Sequence, residues 1–420
     1  MPQDFAVPSL GPCRFDSPLT SRYFRDDDDA VLLDSTLGGC RHCDGESPPA
    51  LEQAGPRRGL FFNPPETTAA IVTCGGLCPG LNDVIRALTM VLWYRYGVRK
   101  ILGLRFGYQG LVPEYNHKPI DLTPRLVEDI HKDGGTVLGS SRGNQDVSTM
   151  VDFLADRGVD VLFAIGGDGT QRGALAIARE ITARERPVAV VGVPKTIDND
   201  ISLTERTFGF ETAVALSRHP IECAHMESKG VPNGVGLVKL MGRESGFVAA
   251  YATLASSDVN LVLIPEVPFE MEQVLQFLEK RMKQKSHAVV VAAEGAGQNL
   301  TPPDGRDASG NPKLGDVGRF LHDAITAHFA SASQPVSVKY IDPSYTIRSS
   351  RAHADDSVFC FQLAENAVHA ALSGRTEMVV GLWNGKFVHV PMREAVARKK
   401  RIDPDGPLWQ SVLDNTGQPF

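Results

Sequence analysis

Two stretches of the chain each follow a run of apolar residues and each carry acidic side chains. Gly166-Gly167-Asp168-Gly169-Thr170 follows residues 159–165, and Pro194-Lys195-Thr196-Ile197-Asp198-Asn199-Asp200 follows residues 188–193. Buried strands that end in this way place backbone N–H groups and carboxylates at the carboxyl edge of a parallel sheet, where a polyphosphate and magnesium can bind. One aspartate can hold the metal while another accepts the proton of an attacking hydroxyl. The two stretches therefore indicate a kinase that acts on a small hydroxylated molecule.

The chain around these stretches alternates between strand and helix patterns. Residues 69–73 form a short apolar run, a glycine-rich turn follows, and residues 82–96 have helical apolar spacing, an order that forms a phosphate-binding unit. Further strands are predicted at residues 100–104, 235–240, 261–265, 288–292 and 336–341, further helices at 211–226, 246–255 and 270–285, and a hairpin where residues 378–383 and 386–390 flank Asn384-Gly385. This alternation predicts an α/β fold with mostly parallel sheets covered by helices, and the Asn-Gly pair tolerates the positive φ of a tight turn.

The composition is that of a globular enzyme. A chain of 420 residues, 42% of them hydrophobic, suggests two or three domains. The formal net charge of −7 argues against general nucleic-acid binding. Residues 1–11 lack the features of a signal peptide, and no apolar stretch approaches the ~20 residues of a membrane span. Seven cysteines, an odd number in a long chain, fit a reducing compartment, so we expect a cytoplasmic protein that binds no membrane.

Two cysteine pairs raise the question of a metal or redox site. Cys40 and Cys43 frame Arg41-His42, but no second pair at suitable spacing follows, and a structural zinc usually takes four protein ligands. Cys74 and Cys78 flank the first glycine turn. Packing as small buried residues around a phosphate loop is the favoured interpretation of that second pair.

Seven motifs follow one another between about residues 56 and 390. They are Gly75-Gly76-Leu77-Cys78-Pro79-Gly80-Leu81-Asn82, Phe106-Gly107-Tyr108-Gln109-Gly110-Leu111, Gly139-Ser140-Ser141-Arg142, the loops 166–170 and 194–200, Met241-Gly242-Arg243, and Tyr340-Ile341-Asp342-Pro343-Ser344-Tyr345-Thr346-Ile347-Arg348. Together they resemble the phosphofructokinase family. The long N-terminal extension, Lys195 and the 340–348 segment look most like the ATP-dependent enzymes of plants and trypanosomatids, which lie close to the pyrophosphate-dependent branch.

The resemblance implies two similar α/β domains with the active-site cleft between them. Residues 1–65 are then an N-terminal extension and 393–420 a C-terminal tail. The expected ATP and magnesium domain is 66–209, completed by about 350–376, and the expected fructose 6-phosphate domain is 210–349, completed by about 377–392. A homo-oligomer, dimer or tetramer, and allosteric control are further expectations from the family.

The implied reaction is phosphoryl transfer from ATP to the 1-hydroxyl of fructose 6-phosphate, which yields fructose 1,6-bisphosphate and ADP in glycolysis. Gly169 favours ATP, because pyrophosphate users of the family carry an aspartate there that obstructs the α-phosphate. Lys195 is typical of pyrophosphate users. The two observations agree if Lys195 contacts the transferred phosphoryl group, which both donors possess.

On the donor side, the resemblance assigns a role to each polar residue of the loops. Asp198 is the expected base for the sugar hydroxyl, Thr196 orients that hydroxyl or the phosphoryl group, and Asp200 is structural or electrostatic. Asp168 is the expected Mg²⁺ ligand, because this ion needs only one or two carboxylates besides phosphate oxygens and water. Arg142 bridges the donor and the transferred phosphate, which its planar guanidinium suits. The full expected donor set is Gly75, Gly76, Arg142, Gly167, Asp168, Gly169 and Thr170, with Lys195 catalytic beside Asp198, Thr196 and Arg142.

Sugar recognition is expected from the second domain. Glu294 accepts hydrogen bonds from fructose hydroxyls, and Met241-Gly242-Arg243 lines the acceptor pocket. Lys339, Tyr345 and Arg348 offer two cations and a phenol, which suit a sugar-phosphate dianion. The full expected substrate set is Thr196, Asp198, Met241, Gly242, Arg243, Glu294, Lys339, Tyr345 and Arg348.

Three alternatives remain open from the sequence. The closest is the same reaction driven by pyrophosphate. An NAD kinase or lipid kinase shares a similar Gly-Gly-Asp-Gly loop but leaves Met241-Gly242-Arg243 and the 345–348 segment unexplained. A catalytically silent regulatory subunit is expected to lose the base or the metal carboxylate, whereas Asp168 and Asp198 are both present.

Overall fold

The computed structural model describes residues 5–20, 23–41, 48–302, 305–306 and 312–419. It divides into two compact units, each assembled from separate parts of the chain. Unit 1 consists of Met1–Thr196, Ile201–Gly209 and Ser350–Arg398, and unit 2 consists of Ile197–Asp200, Phe210–Ser349 and Lys399–Phe420. Cys43 lies outside the described residues.

The secondary structure alternates as the sequence predicts. The strands are β1 (Phe15–Asp16), β2 (Ala30–Leu32), β3 (Ala50–Gln53), β4 (Gly59–Leu60), β5 (Thr68–Thr73), β6 (Lys100–Leu104), β7 (Ile120–Asp121), β8 (Val161–Gly166), β9 (Ala189–Pro194), β10 (Gly234–Leu240), β11 (Leu261–Leu263), β12 (His287–Ala293), β13 (Ser337–Ile341), β14 (Met378–Trp383) and β15 (Lys386–Pro391). The helices are α1 (Leu37–Arg41), α2 (Leu81–Met90), α3 (Pro124–Val127), α4 (Val147–Asp156), α5 (Asp168–Ala183), α6 (Phe210–Lys229), α7 (Phe247–Ser256), α8 (Met271–Lys285), α9 (Val317–Ser331), α10 (Ser344–Arg348), α11 (Ala354–Leu372), α12 (Met392–Ala395) and α13 (Pro407–Thr416).

Unit 1 is built on a large mixed sheet. Among the described residues it has nine strands, in the order β2-β3-β15-β14-β9-β8-β5-β6-β7. The central strands β6, β5, β8, β9 and β14 are parallel to their neighbours within this group. Every residue of β5, β8 and β9 is buried, as expected for parallel strands with helices on both faces. The carboxyl ends of these three strands therefore lie side by side.

Unit 2 contains a smaller parallel sheet in the order β11-β12-β10-β13. Side chains along its strands point alternately to the two faces of the sheet. Val238 and Leu240 pack in one apolar core with residues of α6 and α7, whereas Val235 and Leu237 pack in another with residues of α8 and α9. The predicted α/β architecture with helix-covered parallel sheets is confirmed.

The hairpin near the end of the chain forms as predicted, but in a different unit. Asn384 and Gly385 have φ values of 47° and 69°, the left-handed conformation that a tight hairpin turn requires. β14 then pairs in parallel with β9, with Met378 opposite Val191. The expectation that residues 377–392 complete the sugar-binding domain therefore differs from the structure, because this pairing makes them part of the unit 1 sheet.

The segments predicted as an N-terminal extension and a C-terminal tail contribute described residues to the two units. β3, from the expected N-terminal extension, extends the unit 1 sheet by pairing with β15, and β2 pairs with β3 at the edge of the sheet. Residues 399–420 belong to unit 2, where α13 packs against α7. In the part of the chain that the structure describes, no helix has the length and apolar character needed to cross a membrane.

Candidate active site

The glycine loop after β5 lies against two cations in unit 1. Gly75 has a φ of 89°, and a Cβ atom built on it would lie 3.3 Å from Nζ of Lys195. A Cβ atom on Gly76 would lie 3.2 Å from Nη2 of Arg142. Lys195 also donates a hydrogen bond from Nζ to the Gly76 carbonyl at 2.7 Å. The loop thus brings together Gly75, Gly76, Arg142 and Lys195, four residues that the sequence assigns to phosphate binding.

The turn that carries Arg142 is fastened to the glycine loop by hydrogen bonds. The Gly75 N–H donates to the carbonyl of Ser141 at 3.0 Å, and the Ser140 hydroxyl donates to the Gly75 carbonyl at 2.6 Å. The first of these bonds uses the N–H of Gly75, a member of the expected donor-binding set. In this structure the amide positions the Arg142 turn instead.

The second phosphate element is the start of α5. Gly167 is its N-cap and Asp168 its first residue, so the carboxylate lies at the positive end of a 16-residue helix. Asp168 Oδ2 lies 3.1 Å from Nη2 of Arg172, one turn further on. A Cβ atom on Gly169 would meet nothing within 4 Å. The helix start therefore has the open space and the dipole that favour a bound phosphate.

Thr170 has a structural role that the sequence did not show. Its side chain is buried, and its carbonyl accepts a hydrogen bond from the Tyr108 hydroxyl at 2.6 Å. Tyr108 belongs to the second of the seven motifs, which thus supports the first turn of α5. The threonine side chain also lies where a Cβ atom on Gly166 would clash with it, at 2.1 Å from Oγ1.

Gln171 is a site residue that sequence reasoning missed. Its side-chain amide is fully buried and donates to the carbonyls of Gly166 at 2.9 Å and Val193 at 3.3 Å. It therefore holds the ends of β8 and β9 together, and Lys195 adds a bond from its N–H to the Gly166 carbonyl at 3.0 Å. A glutamine inside a helix has no sequence signal for this contact.

Asp168 is the one residue that the sequence analysis assigns to Mg²⁺. Within the described ranges, no group of three or more His, Cys, Asp or Glu side chains could hold a metal ion. A Mg²⁺ site built from one carboxylate, phosphate oxygens and water does not need such a group. Asp168 is 21% exposed and next to the open position of Gly169, so it fits an ion that arrives with a nucleotide.

Asp198 lies in unit 2, in the segment that follows β9. Its Oδ2 atom lies 3.4 Å from the backbone N–H of Arg243, and the Ser245 hydroxyl donates to its carbonyl at 3.0 Å. Burial, together with the negative charges of Asp200 and Glu294, raises the pKa of Asp198 to about 7. A carboxylate with such a pKa is a suitable general base near neutral pH. Thr196, two residues earlier, belongs to unit 1, where its carbonyl accepts from the Thr207 hydroxyl.

Asp200 is buried and paired. Its Oδ2 atom lies 2.8 Å from Nζ of Lys399, and its carbonyl accepts from the Lys400 N–H at 2.8 Å. Lys399 lies in residues 393–420, which the resemblance implies to be a C-terminal tail. The basic run Lys399-Lys400-Arg401 is visible in the sequence. Asp200, which pairs with Lys399, lies 199 residues earlier, so the sequence does not show the contact.

Glu294 connects the ends of β10 and β12 in unit 2. Its N–H donates to the Leu240 carbonyl at 2.8 Å, and the next N–H donates to the Gly242 carbonyl at 3.0 Å. Burial raises the pKa of Glu294, and the positive charges of Lys239, Arg243 and Arg348 oppose that rise. The expected sugar-binding residues Arg243, Glu294 and Arg348 therefore share one electrostatic environment. Met241, two residues before Arg243, is buried.

The backbone conformation at residue 242 requires a glycine. Its φ is 134°, and a Cβ atom would lie 2.5 Å from the Ser245 carbonyl oxygen. A side chain at this position would push apart the loop that carries Arg243. The Arg243 side chain itself donates to the Pro312 carbonyl.

The expected phosphate-binding residues of unit 2 lie on α10 and β13. The Arg348 guanidinium lies 4.3 Å from the ring centroid of Tyr345, which is 75% exposed. This stacking holds the cation at the surface of the short helix. Lys339 lies earlier, on β13 opposite Gly236, and is half-buried.

Backbone amides, cations and carboxylates at the ends of buried parallel strands define a phosphate-binding α/β protein. A family model described as Phosphofructokinase matches residues 68–371 of this chain. The chain therefore belongs to the phosphofructokinase family, which confirms the family that the seven motifs predict.

Individual relatives extend the similarity to nearly the whole chain. An enzyme of Amycolatopsis methanolica named ATP-dependent 6-phosphofructokinase is 48% identical over 99% of this chain and 95% of its own length. An enzyme of the same name from Trypanosoma cruzi is 46% identical over 88% of this chain and 77% of its own length. Among solved structures, a pyrophosphate-dependent phosphofructokinase from Marinobacter aquaeolei has a TM-score of 0.70 at 19% identity, covering 84% of this chain and 91% of that one. At this identity the structural likeness concerns the fold alone.

Proposed function

We propose that this protein transfers the terminal phosphoryl group of ATP to the 1-hydroxyl of fructose 6-phosphate, forming fructose 1,6-bisphosphate and ADP as a step of glycolysis. One observation carries the proposal. Asp198, a carboxylate whose surroundings raise its pKa to about 7, follows β9 in a chain that is 48% identical, over 99% of its length, to an enzyme named ATP-dependent 6-phosphofructokinase.

The donor is bound by unit 1. Arg142 and Lys195, which lie against the Gly75-Gly76 loop, supply two cations for the β- and γ-phosphates. The start of α5 adds the positive end of the helix dipole. Asp168 would hold Mg²⁺ together with phosphate oxygens, and the ion would neutralise charge on the donor. The open space beside Gly169 leaves room for the α-phosphate of a nucleotide.

The acceptor is bound by unit 2. Glu294 accepts hydrogen bonds from fructose hydroxyls, and Met241 and Arg243 line the pocket. Arg348, Tyr345 and Lys339 bind the 6-phosphate, for which the guanidinium offers paired donors. As the 1-hydroxyl oxygen attacks the γ-phosphorus, its proton passes to a carboxylate oxygen of Asp198, and Thr196 orients the hydroxyl.

A second candidate is the same transfer from pyrophosphate. Lys195 favours it, because a lysine at this position is typical of the pyrophosphate users of the family, and its ammonium group lies against the glycine loop. Gly169 separates the two candidates, because the space beside it has a use only when the donor has an α-phosphate.

We also propose that the protein works as a homo-oligomer, dimer or tetramer, in the cytoplasm. The location is supported by the cysteines at 13, 74, 223 and 360, which form no disulfide in the described part of the chain. Light scattering after size exclusion tests the assembly.

The experiment that tests the function is an aldolase-coupled assay with fructose 6-phosphate and Mg²⁺, supplied separately with ATP and with pyrophosphate. We expect turnover with ATP, and its loss when EDTA removes Mg²⁺. Turnover with pyrophosphate alone would move the proposal to the second candidate, and turnover with neither donor would reject both.

A further inference from the structure

We infer that Lys399, in the C-terminal segment of unit 2, is a positioning residue for the base, Asp198. Its ammonium group joins the segment that carries Asp198 to the loop that carries Arg243, and it balances the charge of Asp200. The inference rests on the proposed function, because it concerns the acceptor side of that reaction.

Lys399 makes two ion pairs that link separate parts of unit 2. Its Nζ atom lies 2.8 Å from Oδ2 of Asp200 and 3.4 Å from Oε1 of Glu244. Asp200 comes two residues after Asp198, and Glu244 comes directly after Arg243. The Asp200 side chain is only 9% exposed, so its charge needs a partner, whereas Glu244 is 41% exposed and contributes less.

The backbone around Lys399 is fixed at several points, so the ammonium group is held in place. The Lys400 N–H donates to the Asp200 carbonyl at 2.8 Å. The Ile402 N–H donates to Oε1 of Glu266 at 2.9 Å, and the same oxygen accepts from the Gly246 N–H at 3.0 Å. Ile402 is buried in the core formed with α6 and α7. The segment is therefore bound to the same loop that presents Arg243 to Asp198.

The groups around Asp198 explain why a cation is needed there. Asp200 and Glu294 are negative and, with burial, raise the pKa of Asp198, while the Arg243 N–H and the Lys399 charge act in the opposite direction. Without Lys399, Asp200 would keep a buried charge with less compensation, and Asp198 would hold its proton to a higher pH. A base that holds its proton cannot accept another.

The test compares the pH dependence of kcat/KM for fructose 6-phosphate in the parent, Lys399→Met and Lys399→Arg. We expect Lys399→Met to move the acidic limb up by about one pH unit, which is roughly a tenfold loss at pH 6 with recovery towards the parent at pH 9. Lys399→Arg should restore most of the parent profile. Arg398→Met is the matched control, since it removes the same charge from an exposed neighbour. An equal loss at every pH, or an unchanged profile, overturns the inference.

A second measurement does not depend on activity. Urea unfolding of Lys399→Met, Asp200→Asn and the double variant forms a thermodynamic cycle. We expect Lys399→Met to destabilise the parent clearly but the Asp200→Asn background only weakly, because the buried carboxylate is then gone. Additive losses overturn the inference even if the parent is an active kinase. If the parent has no kinase activity, the proposed function is rejected. The cycle still measures the coupling free energy between Lys399 and Asp200.

Discussion

Asp198 is the residue on which the proposed chemistry depends most. Its carboxylate is close to two other acids, and its pKa is raised to about 7 by burial first and by Asp200 and Glu294 next. The base must be ionised to act, so activity should rise with pH through this region and fall below it. The surroundings that raise the pKa also make the carboxylate a stronger proton acceptor than an exposed aspartate.

The first prediction concerns Asp198→Asn. We expect turnover to fall by ~10² to 10⁴, the range for loss of a positioned base, while binding of fructose 6-phosphate and ATP is largely retained. The pH dependence near 7 should disappear from the residual activity. Calorimetric titration of both ligands and a pH profile of kcat measure these effects, and a variant with more than half of the parent turnover would exclude Asp198 as the base.

The second prediction concerns Gly169→Asp. The position is open, so the substitution should fold normally. The added carboxylate should fill the space for the α-phosphate and repel it, which lowers kcat/KM for ATP by about two decades or more. Gly169→Ala is the matched control, because its methyl group meets nothing within 4 Å and adds no charge. If Gly169→Asp uses ATP as well as the parent does, donor selection lies elsewhere.

The third prediction concerns Arg348→Ala. Loss of the cation should raise KM for fructose 6-phosphate, with a smaller effect on KM for ATP, because the proposed contact is with the sugar phosphate. Arg218→Ala removes an exposed arginine whose ion pair is with Glu222 on α6, and it should leave both constants unchanged. The opposite pattern for Arg348→Ala would assign this residue to the nucleotide.

The N-terminal strands of unit 1 are held by a charge network in which Glu52, Arg57 and Arg375 are mostly buried and Asp27 is exposed. Glu52 on β3 lies 2.8 Å from Arg57 and 3.0 Å from Arg375, and Asp27 lies 2.6 Å from Arg375. Burial opposes ionisation of Glu52, but His389 and the two arginines outweigh it and lower its pKa to about 2. The network thus ties β3, and Asp27 just before β2, to Arg375 in the C-terminal part of unit 1.

The fourth prediction concerns Glu52→Gln. A pKa lowered from 4.5 to about 2 contributes stability that is fully present above pH 4.5 and is lost as the pH falls towards 2. We expect the variant to lose about 3 kcal/mol of unfolding free energy at pH 7 and to depend less on pH between 5 and 2. Urea unfolding at several pH values measures this. Glu66→Gln, at an exposed position, should match the parent, and equal stability of the two variants would contradict the account.

The elements differ in how well the sequence predicts them. β5, β8 and β9 are buried on both faces, so an apolar run marks each of them, and the carboxylates that follow β8 and β9 mark the site. The hairpin of β14 and β15 is marked by Asn384-Gly385, but nothing local shows that β14 pairs with β9. The contacts of Gln171 and Lys399 are equally hidden, because each joins residues that are distant in the chain and follows no periodic pattern.

The two units contain the residues for different sides of the proposed reaction. Unit 1 has the glycine loop, Arg142, Lys195 and the start of α5, which suit a polyphosphate donor. Unit 2 has Asp198, Glu294 and Arg348, which suit a phosphorylated sugar. We propose that this chain uses both sets of residues in one phosphoryl transfer with ATP as donor.

The most direct test is a ³¹P NMR measurement of one reaction that contains the purified protein, fructose 6-phosphate, Mg²⁺ and equal amounts of ATP and pyrophosphate. We expect ADP and fructose 1,6-bisphosphate to appear together in equal amounts while the pyrophosphate signal stays constant. Orthophosphate formed from pyrophosphate with unchanged ATP, or the absence of fructose 1,6-bisphosphate, would contradict this expectation.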